Sequence, residues 1–424
     1  MLKNKEILIF IATTTIISVL LFANVFEYLE VKTHDWRFSS NLKQQISNNV
    51  ILISITDRDI NNFGPWPFKR STHARMVDYL KDAGAAVIGF DIIFSLRSSN
   101  FFDDEYFIKS MKEAGNVVLA DKFIHTEELI DTETILHGYE IDGAHEDFKN
   151  TARGSGFINV DFENINIDGV IRNVELIKEI SGERYFSLPL KMALELSKYR
   201  HGKNITLENN NNNLTILNNK IPLFEFFKLF YNQRVKHSAY VIKYNGNSRT
   251  GLFRNFTYTD IFTSSEREIP RSIFKGKAVL IGVKSDYLPD QKLSPLGNIS
   301  GMEINAQIID NIMNEEYVIR PERTISIFIL ILIGFLAYLI ISRSEPGFYD
   351  LIYILSAVAI IIAIAYFSFS KAMILFEIIA PIFEILLLFV SLRFYQLFNK
   401  LKIAESKINE LNISLEKLEH KSIA

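Results

Sequence analysis

No cysteine occurs among the 424 residues, which excludes disulfides, zinc–thiolate sites and thiol nucleophiles. An excess of charge of one sign is missing as well. With 46 Lys and Arg against 49 Asp and Glu, the chain carries no basic footprint for nucleic acid. The phosphate-loop pattern Gly-x(4)-Gly-Lys-Ser/Thr is absent, and Lys275-Gly276-Lys277 does not supply its spacing. A serine nucleophile elbow and an Asp/His metal-ligand pattern are also missing.

What the chain has in quantity is apolar. Hydrophobic residues make up 48% of it, and their clustering into long runs points to a membrane. Residues 7–26 carry no charge and are long enough to cross a hydrocarbon core of about 30 Å. The run exceeds a signal-peptide core and lacks an Ala-x-Ala site, so it reads as a retained span. Further spans are expected at 325–341, 351–369 and 372–392. Four spans put both termini on one side. Lys3, Lys5, Arg343, Arg393, Lys400 and Lys402 assign that side to the cytoplasm, while Arg320, Arg323 and Lys371 weaken the bias without reversing it. The expected organisation is a cytoplasmic tip and first span (1–26), an exported domain (27–324), three spans (325–392) and a cytoplasmic segment (393–424).

Residues 49–94 hold the densest pattern of the exported part. Val50-Ile51-Leu52-Ile53-Ser54-Ile55 is apolar on both faces, as a strand inside a parallel sheet is, and ends in Thr56-Asp57. Gly64-Pro65-Trp66-Pro67 breaks regular structure. A helix over 71–83 follows, with Met76, Val77, Leu80 and Ala83 on one stripe and Gly84 as its stop. Val87 to Phe94 returns as a strand. The unit is βαβ, with Asp57 and Asp91 near the carboxyl ends of neighbouring strands, where open α/β sheets place ligands.

The apolar strand ending in Asp57, the turn Gly64-x-Trp66-Pro67-x-x-Arg70 and the run Gly84 to Asp91 resemble the type-two CHASE domain (CHASE2). That family comprises extracytoplasmic sensors of bacterial receptors whose cytoplasmic parts are adenylate cyclases, histidine kinases or diguanylate cyclases. The likeness covers residues 27–321 and continues into the three-helix membrane tail. His34-Asp35-Trp36-Arg37-Phe38 is similar to the family's opening segment and reads as a structural mount, since adjacent helical residues do not face each other for acid–base chemistry. Gly156 to Asp161 and Asp168-Gly169-Val170-Ile171-Arg172 resemble a paired family signature, in which Arg172 can reach back across the turn. Phe274 to Gly282 resembles its last core strand. Gly301 to Ala306 matches a run in which the family has His where this chain has Asn305.

Other segments are less specific. A helix over 103–114 and a strand over 116–120 are expected, then a polar, irregular stretch at 125–153 whose position suits a flap. A helix near 186–199 begins at Ser187-Leu188-Pro189. Five asparagines, Asn209 to Asn213, read as the tip of a hairpin between strands at 204–207 and 214–217. Residues 240–244 are expected to form another strand. Glu377 and Glu384 lie in the last expected span, seven residues apart on one face, with Pro381 between them as a candidate hinge. Phe394, Leu401, Ile408 and Leu415 alternate with Leu397, Ala404, Leu411 and Leu418 at heptad spacing, the pattern of a short coiled coil or of an amphipathic surface helix.

The expected fold is α/β, with a largely parallel central sheet built from βαβ units, four transmembrane helices and a C-terminal coiled coil. The expected function is a receptor in the bacterial cytoplasmic (inner) membrane. It would form a homodimer amid membrane lipid and sense a small ligand or an extracytoplasmic protein through Asp57, Trp66, Arg70 and Asp91. A conformational signal would then pass through Glu377, Pro381, Glu384, Leu401, Ile408 and Leu411. The sequence stops at Ala424, so the output would come from a separate cytoplasmic effector, unless this is the sensory part of a longer cyclase or kinase. The enzymatic alternative is a membrane-anchored hydrolase or metal-dependent phosphatase using Asp57, Asp59 and Asp91.

Overall fold

The structure is a computed structural model that describes residues 2–42, 46–129, 135–160, 166–180, 182–202, 207–210, 213–216, 219–230, 233–246, 251–286, 290–347 and 349–423. Two compact units make up the chain: Met1–Arg37 with Arg320–Ala424, and Phe38–Ile319. Asp161, residues 204–206, and Asn211 and Asn212 of the asparagine tract lie outside the described residues.

In chain order, α1 (Leu2–Phe22) and α2 (Glu27–Ser39) come first. The Phe38–Ile319 unit then runs β1 (Val50–Ile55), α3 (Asp57–Phe63), α4 (Arg70–Asp82), β2 (Val87–Asp91), α5 (Phe101–Ala114), β3 (Val117–Leu129), β4 (Ile135–Asp142), α6 (Glu146–Thr151) and β5 (Gly154–Phe157). Next are β6 (Asn173–Glu175), β7 (Ile177–Ile180), β8 (Glu183–Phe186), α7 (Leu188–His201), β9 (Leu207–Asn210), β10 (Asn213–Ile216), β11 (Asn219–Pro222), β12 (Phe224–Phe230) and β13 (Gln233–Val241). The unit closes with β14 (Arg254–Thr257), α8 (Tyr258–Thr263), β15 (Ala278–Val283), β16 (Gln291–Ser294), β17 (Gly297–Ser300) and α9 (Gly301–Met313).

The central sheet has the order β14-β1-β15-β2-β3-β4, and β5 also pairs with β3. All of its ladders are parallel except β3 with β4. Side chains alternate across each strand, so the strands feed two cores. Val50 and Leu52 of β1 and Ala278 and Leu280 of β15 face a core completed by Leu190, Met192 and Ala193 of α7 and Ile304 and Ile308 of α9. Ile51, Ile53 and Ile55, Val279 and Ile281 face the other, completed by Met76, Val77 and Leu80 of α4 and Phe107 and Met111 of α5. Each of the buried Val, Leu, Ile, Met and Phe side chains stabilises the unit by about 1.5–3 kcal/mol. The result is a three-layer α/β/α sandwich.

Three sequence expectations for this unit change. β1 and β2 are not neighbours, because β15 enters between them and pairs with both. The described residues of 125–153 are regular where a polar flap was expected: β3 extends to Leu129, β4 from Ile135 pairs antiparallel with it, and α6 follows, while 130–134 lie outside the described residues. The asparagine hairpin forms, but its strands include part of the tract, since Asn210 pairs with Asn213.

In the other unit, α1 packs against α10 (Arg323–Arg343) and α12 (Ile379–Ile423), and α11 (Tyr349–Ala372) packs against α12. These four helices are long and apolar enough to cross a membrane. Ile17, Leu21, Leu330 and Ala380 form one inner cluster and Tyr338, Leu388 and Leu392 another, while Val19, Phe328, Ile360 and Val390 turn outward. A helix apolar on its outer side is stable in lipid, which cannot satisfy open backbone groups. The last helix starts at Ile379, seven residues later than the expected Ala372, after a break in which Met373 takes φ 55°. Pro381 therefore lies in the first turn, where its missing N–H costs no helical bond. It does not kink the span.

Candidate functional site

Gly282 of β15 lies beside Asp91, the last residue of β2. A Cβ on Gly282 would stand 2.9 Å from Met302 Sδ, so glycine lets α9 settle directly on the sheet. The start of α9 is fixed by a capping box between Ser300 and Glu303 and by Asp290, whose Oδ2 accepts the Gly301 N–H over 3.1 Å. That placement brings Asn305 to Asp91: its Nδ2 donates to Asp91 Oδ2 over 3.1 Å.

The facing wall is built from β3 and the segment after β5. Asn159 clamps it, accepting the Phe123 N–H (2.8 Å) and donating to the Phe123 carbonyl (3.0 Å). Gly156 is required for this wall, since a Cβ there would come within 2.7 Å of the Leu188 backbone at the start of α7. The Asp168-Gly169 turn is closed as expected: Arg172 donates to both carboxylate oxygens of Asp168, at 2.7 and 3.0 Å.

A cleft of about 360 Å³ opens between these walls, with Asp91, Asn305, Asp290, Lys292, Lys122 and Asn159 as its polar lining. Burial and the neighbouring Asp290 carboxylate push the Asp91 carboxyl up to about 7, and the Asn305 hydrogen bond and Lys292 offset this only in part. The cleft thus contains a carboxyl that titrates near neutrality.

The four expected site residues do not converge, and of them only Asp91 lines the cleft. Asp57 opens α3 and accepts hydrogen bonds from the Ser285 hydroxyl and the Asp286 N–H, tying the end of β1 to the loop after β15. Trp66 packs edge-on against Phe68 and His73. Arg70 stacks over Phe94, donates to the Leu96 carbonyl and lies 4.0 Å from Asp104, so it holds the 94–104 segment. Asp59 is also structural. It accepts from Thr56 and, at 2.6–2.7 Å, from the Thr259 N–H and hydroxyl. Asp57, Asp59 and Asp91 therefore have separate partners. Among the described residues no group of three or more His, Cys, Asp or Glu could hold a metal ion.

Of the expected relay residues, Glu377 and Glu384 have defined partners within their own unit. Glu377 lies in the break before α12, outside the helix, and pairs with Arg323 (2.7 Å) and Arg320 (3.6 Å). Arg320 also grips Glu27 with bonds of 2.7 and 3.0 Å. Glu384 is fully buried and accepts the Thr14 hydroxyl over 2.7 Å. Leu401, Ile408 and Leu411 are exposed on α12; the side chain of Leu418 lies outside those described.

Glu30, Asp290, Lys122 and Lys292 were not singled out by the sequence. Glu30 accepts the N–H groups of Ile378 and Ile379 at 3.0 and 2.9 Å and pairs with the buried Arg37, which donates to the Phe376 carbonyl. Its signal was the i, i+7 spacing of Glu30 and Arg37 on one helical face. Lys122 lies just past the expected strand over 116–120, beside Asp121, and carried no distinguishing pattern. Asp290 and Lys292 carried no distinguishing pattern.

No curated protein and no solved structure matches the chain. The CHASE2 domain matches residues 11–341, well over half of the sequence, and no catalytic domain is identified. The chain therefore belongs to the CHASE2 family, and is a membrane protein in which a CHASE2 sensor domain accompanies four candidate spans.

Proposed function

We propose that the chain is a transmembrane receptor of the bacterial cytoplasmic membrane. Residues 27–324 face outward, the Asp91 cleft takes a small ligand, and the response travels through the spans to α12. There Leu401, Ile408 and Leu411 pair with a second copy as a coiled coil. The work of the site is binding, with no bond made or broken.

The observation that carries this reading is the junction of a CHASE2 domain, through four candidate spans, to a helix with an unpartnered apolar stripe. Leu401, Ile408 and Leu411 are 70%, 57% and 62% exposed. Basic residues at both termini support the inward placement, and the contrary Arg320 and Arg323 are neutralised by Glu27 and Glu377. The output is either a separate effector gripping the coiled coil or a cyclase or kinase domain of a longer receptor. The hydrolase reading is weaker, because its three aspartates are occupied by different partners.

The native chain has no thiol, so Leu411→Cys gives a single cross-linking site. In native membranes a disulfide-linked dimer is expected, with its yield altered by Asp91→Ala. No dimer would overturn the pairing, and a yield indifferent to Asp91→Ala would overturn the cleft as the input.

A further inference from the structure

The charges lining the cleft do not all cancel. Asp290 and Lys292 face each other at 3.3 Å, and Asp290 also holds the Gly301 N–H, so this pair is internally satisfied. Asp91 differs: one oxygen accepts from Asn305, and the other has no hydrogen-bond donor among the described residues. Asn305 Oδ1 likewise accepts no hydrogen bond there. Across the cleft, Lys122 is exposed and has no ion-pair partner among the described residues. Ile93, Ile158 and Val160 supply apolar lining between these groups.

An occupant complementary to this lining carries one positive and one negative group on a small, partly apolar body. The volume of about 360 Å³ lies at the low end of small-molecule sites. A hard divalent cation is a poorer match, since it seeks six or more oxygens and would meet the Lys292 ammonium. A phosphate-like anion would face two carboxylates. We infer that the cleft takes a small zwitterion, an amino acid or dipeptide, with its ammonium held by Asp91 and Asn305 and its carboxylate by Lys122. This rests on the reading of the cleft as the receptor's input site. The proton that Asp91 keeps up to about pH 7 marks the same deficit of positive charge, which a bound ammonium relieves.

The test is calorimetric titration of the full chain in detergent at pH 7.5. The probes are the common L-amino acids and glycyl dipeptides, each hit being compared with its N-acetyl and methyl-ester forms. At least one probe is expected to bind, with both blocked forms at least tenfold weaker. Asp91→Asn should weaken the parent at least tenfold. Lys122→Met, at an exposed position, should abolish the preference for free acid over ester. A blocked form binding as tightly as its parent, or Ca²⁺ or inorganic phosphate binding in place of every probe, overturns the inference. If no probe binds while the Leu411→Cys cross-link still responds to Asp91→Ala, the ligand class is wrong and the input-site reading stands. If the probes bind as expected but the cross-link never responds, the zwitterion site stands and the receptor reading fails.

Discussion

Asn305 donates its side-chain amide to the Asp91 carboxylate over 3.1 Å, joining the first turns of α9 to the end of β2. Burial and Asp290 outweigh that bond and keep the Asp91 carboxyl protonated up to about 7, against 3.8 for a free aspartate. Between these values the folded state binds more protons than the unfolded chain. The contribution of Asp91 to stability is therefore largest below about pH 4 and declines as pH rises toward 7. Asp91→Asn should remove this decline, so the variant gains on the wild type between pH 5 and 7.5 in thermal unfolding of the full chain. A constant gap between the two would show that Asp91 ionises normally.

The strands were legible because alternation is local. Val50 and Leu52 on one side, and Ile51, Ile53 and Ile55 on the other, announce a strand buried on both faces. The insertion of β15 between β1 and β2 was not legible, because pairing order depends on contacts more than 180 residues away that no strand pattern encodes. The grouping of Trp66 and Arg70 with Asp91 failed for a related reason. Sequence proximity placed them at one edge, but aromatic packing draws Trp66 to Phe68 and His73, and Arg70 lies over Phe94. The start of the last span was hidden because Met373 to Ile378 is almost as apolar as the helices on either side, and only the left-handed Met373 marks the break.

His73 sits in an aromatic cage of Phe68, Phe90, Phe94, Phe107 and Tyr258, with Nδ1 2.9 Å from the Tyr258 hydroxyl. Burial, reinforced by Arg70, lowers its pKa to about 3 from 6.5. Here the unfolded chain binds the extra proton, so stability is lost as pH falls from about 6.5 toward 3. His73→Phe should leave the buried Tyr258 hydroxyl without a partner and cost about 1–3 kcal/mol at pH 7.5. The same variant should lose less than the wild type on going to pH 5. Denaturant unfolding at the two pH values checks both signs.

Arg37 is fully buried and its guanidinium meets Glu30 at 3.2 Å, while Glu30 caps the backbone ahead of α12. Removing one member of a buried pair strands the other. Arg37→Met alone should therefore destabilise the helical unit by about 3–5 kcal/mol. Arg37→Met with Glu30→Gln should recover part of that loss, because an amide can remain buried without a counter-charge. Thermal unfolding in detergent that found the double variant worse than the sum of the single ones would contradict this pairing.

Glu384 joins three helices: it lies on α12, accepts from Thr14 of α1, and its Oε1 occupies the space over Gly334 of α10. A Cβ at Gly334 would stand 2.9 Å from that oxygen and 3.3 Å from Glu384 Cγ, so Gly334→Ala should destabilise the bundle by about 1–3 kcal/mol. Shortening the acid removes two of the three close contacts, including the nearest, and leaves Phe10 Cε2 at 3.3 Å. Gly334→Ala should thus cost less in a Glu384→Ala background than in the wild type. The Thr14 bond should contribute less, because hydrogen bonds between membrane helices average about 0.6 kcal/mol and reach about 1.7 kcal/mol. A double-mutant cycle of Thr14→Val and Glu384→Gln in a bilayer measures it. Strong coupling to Gly334 and weak coupling to Thr14 would identify packing as the main role of this carboxyl. The reverse order would make the hydrogen bond the element that holds α1 to α12.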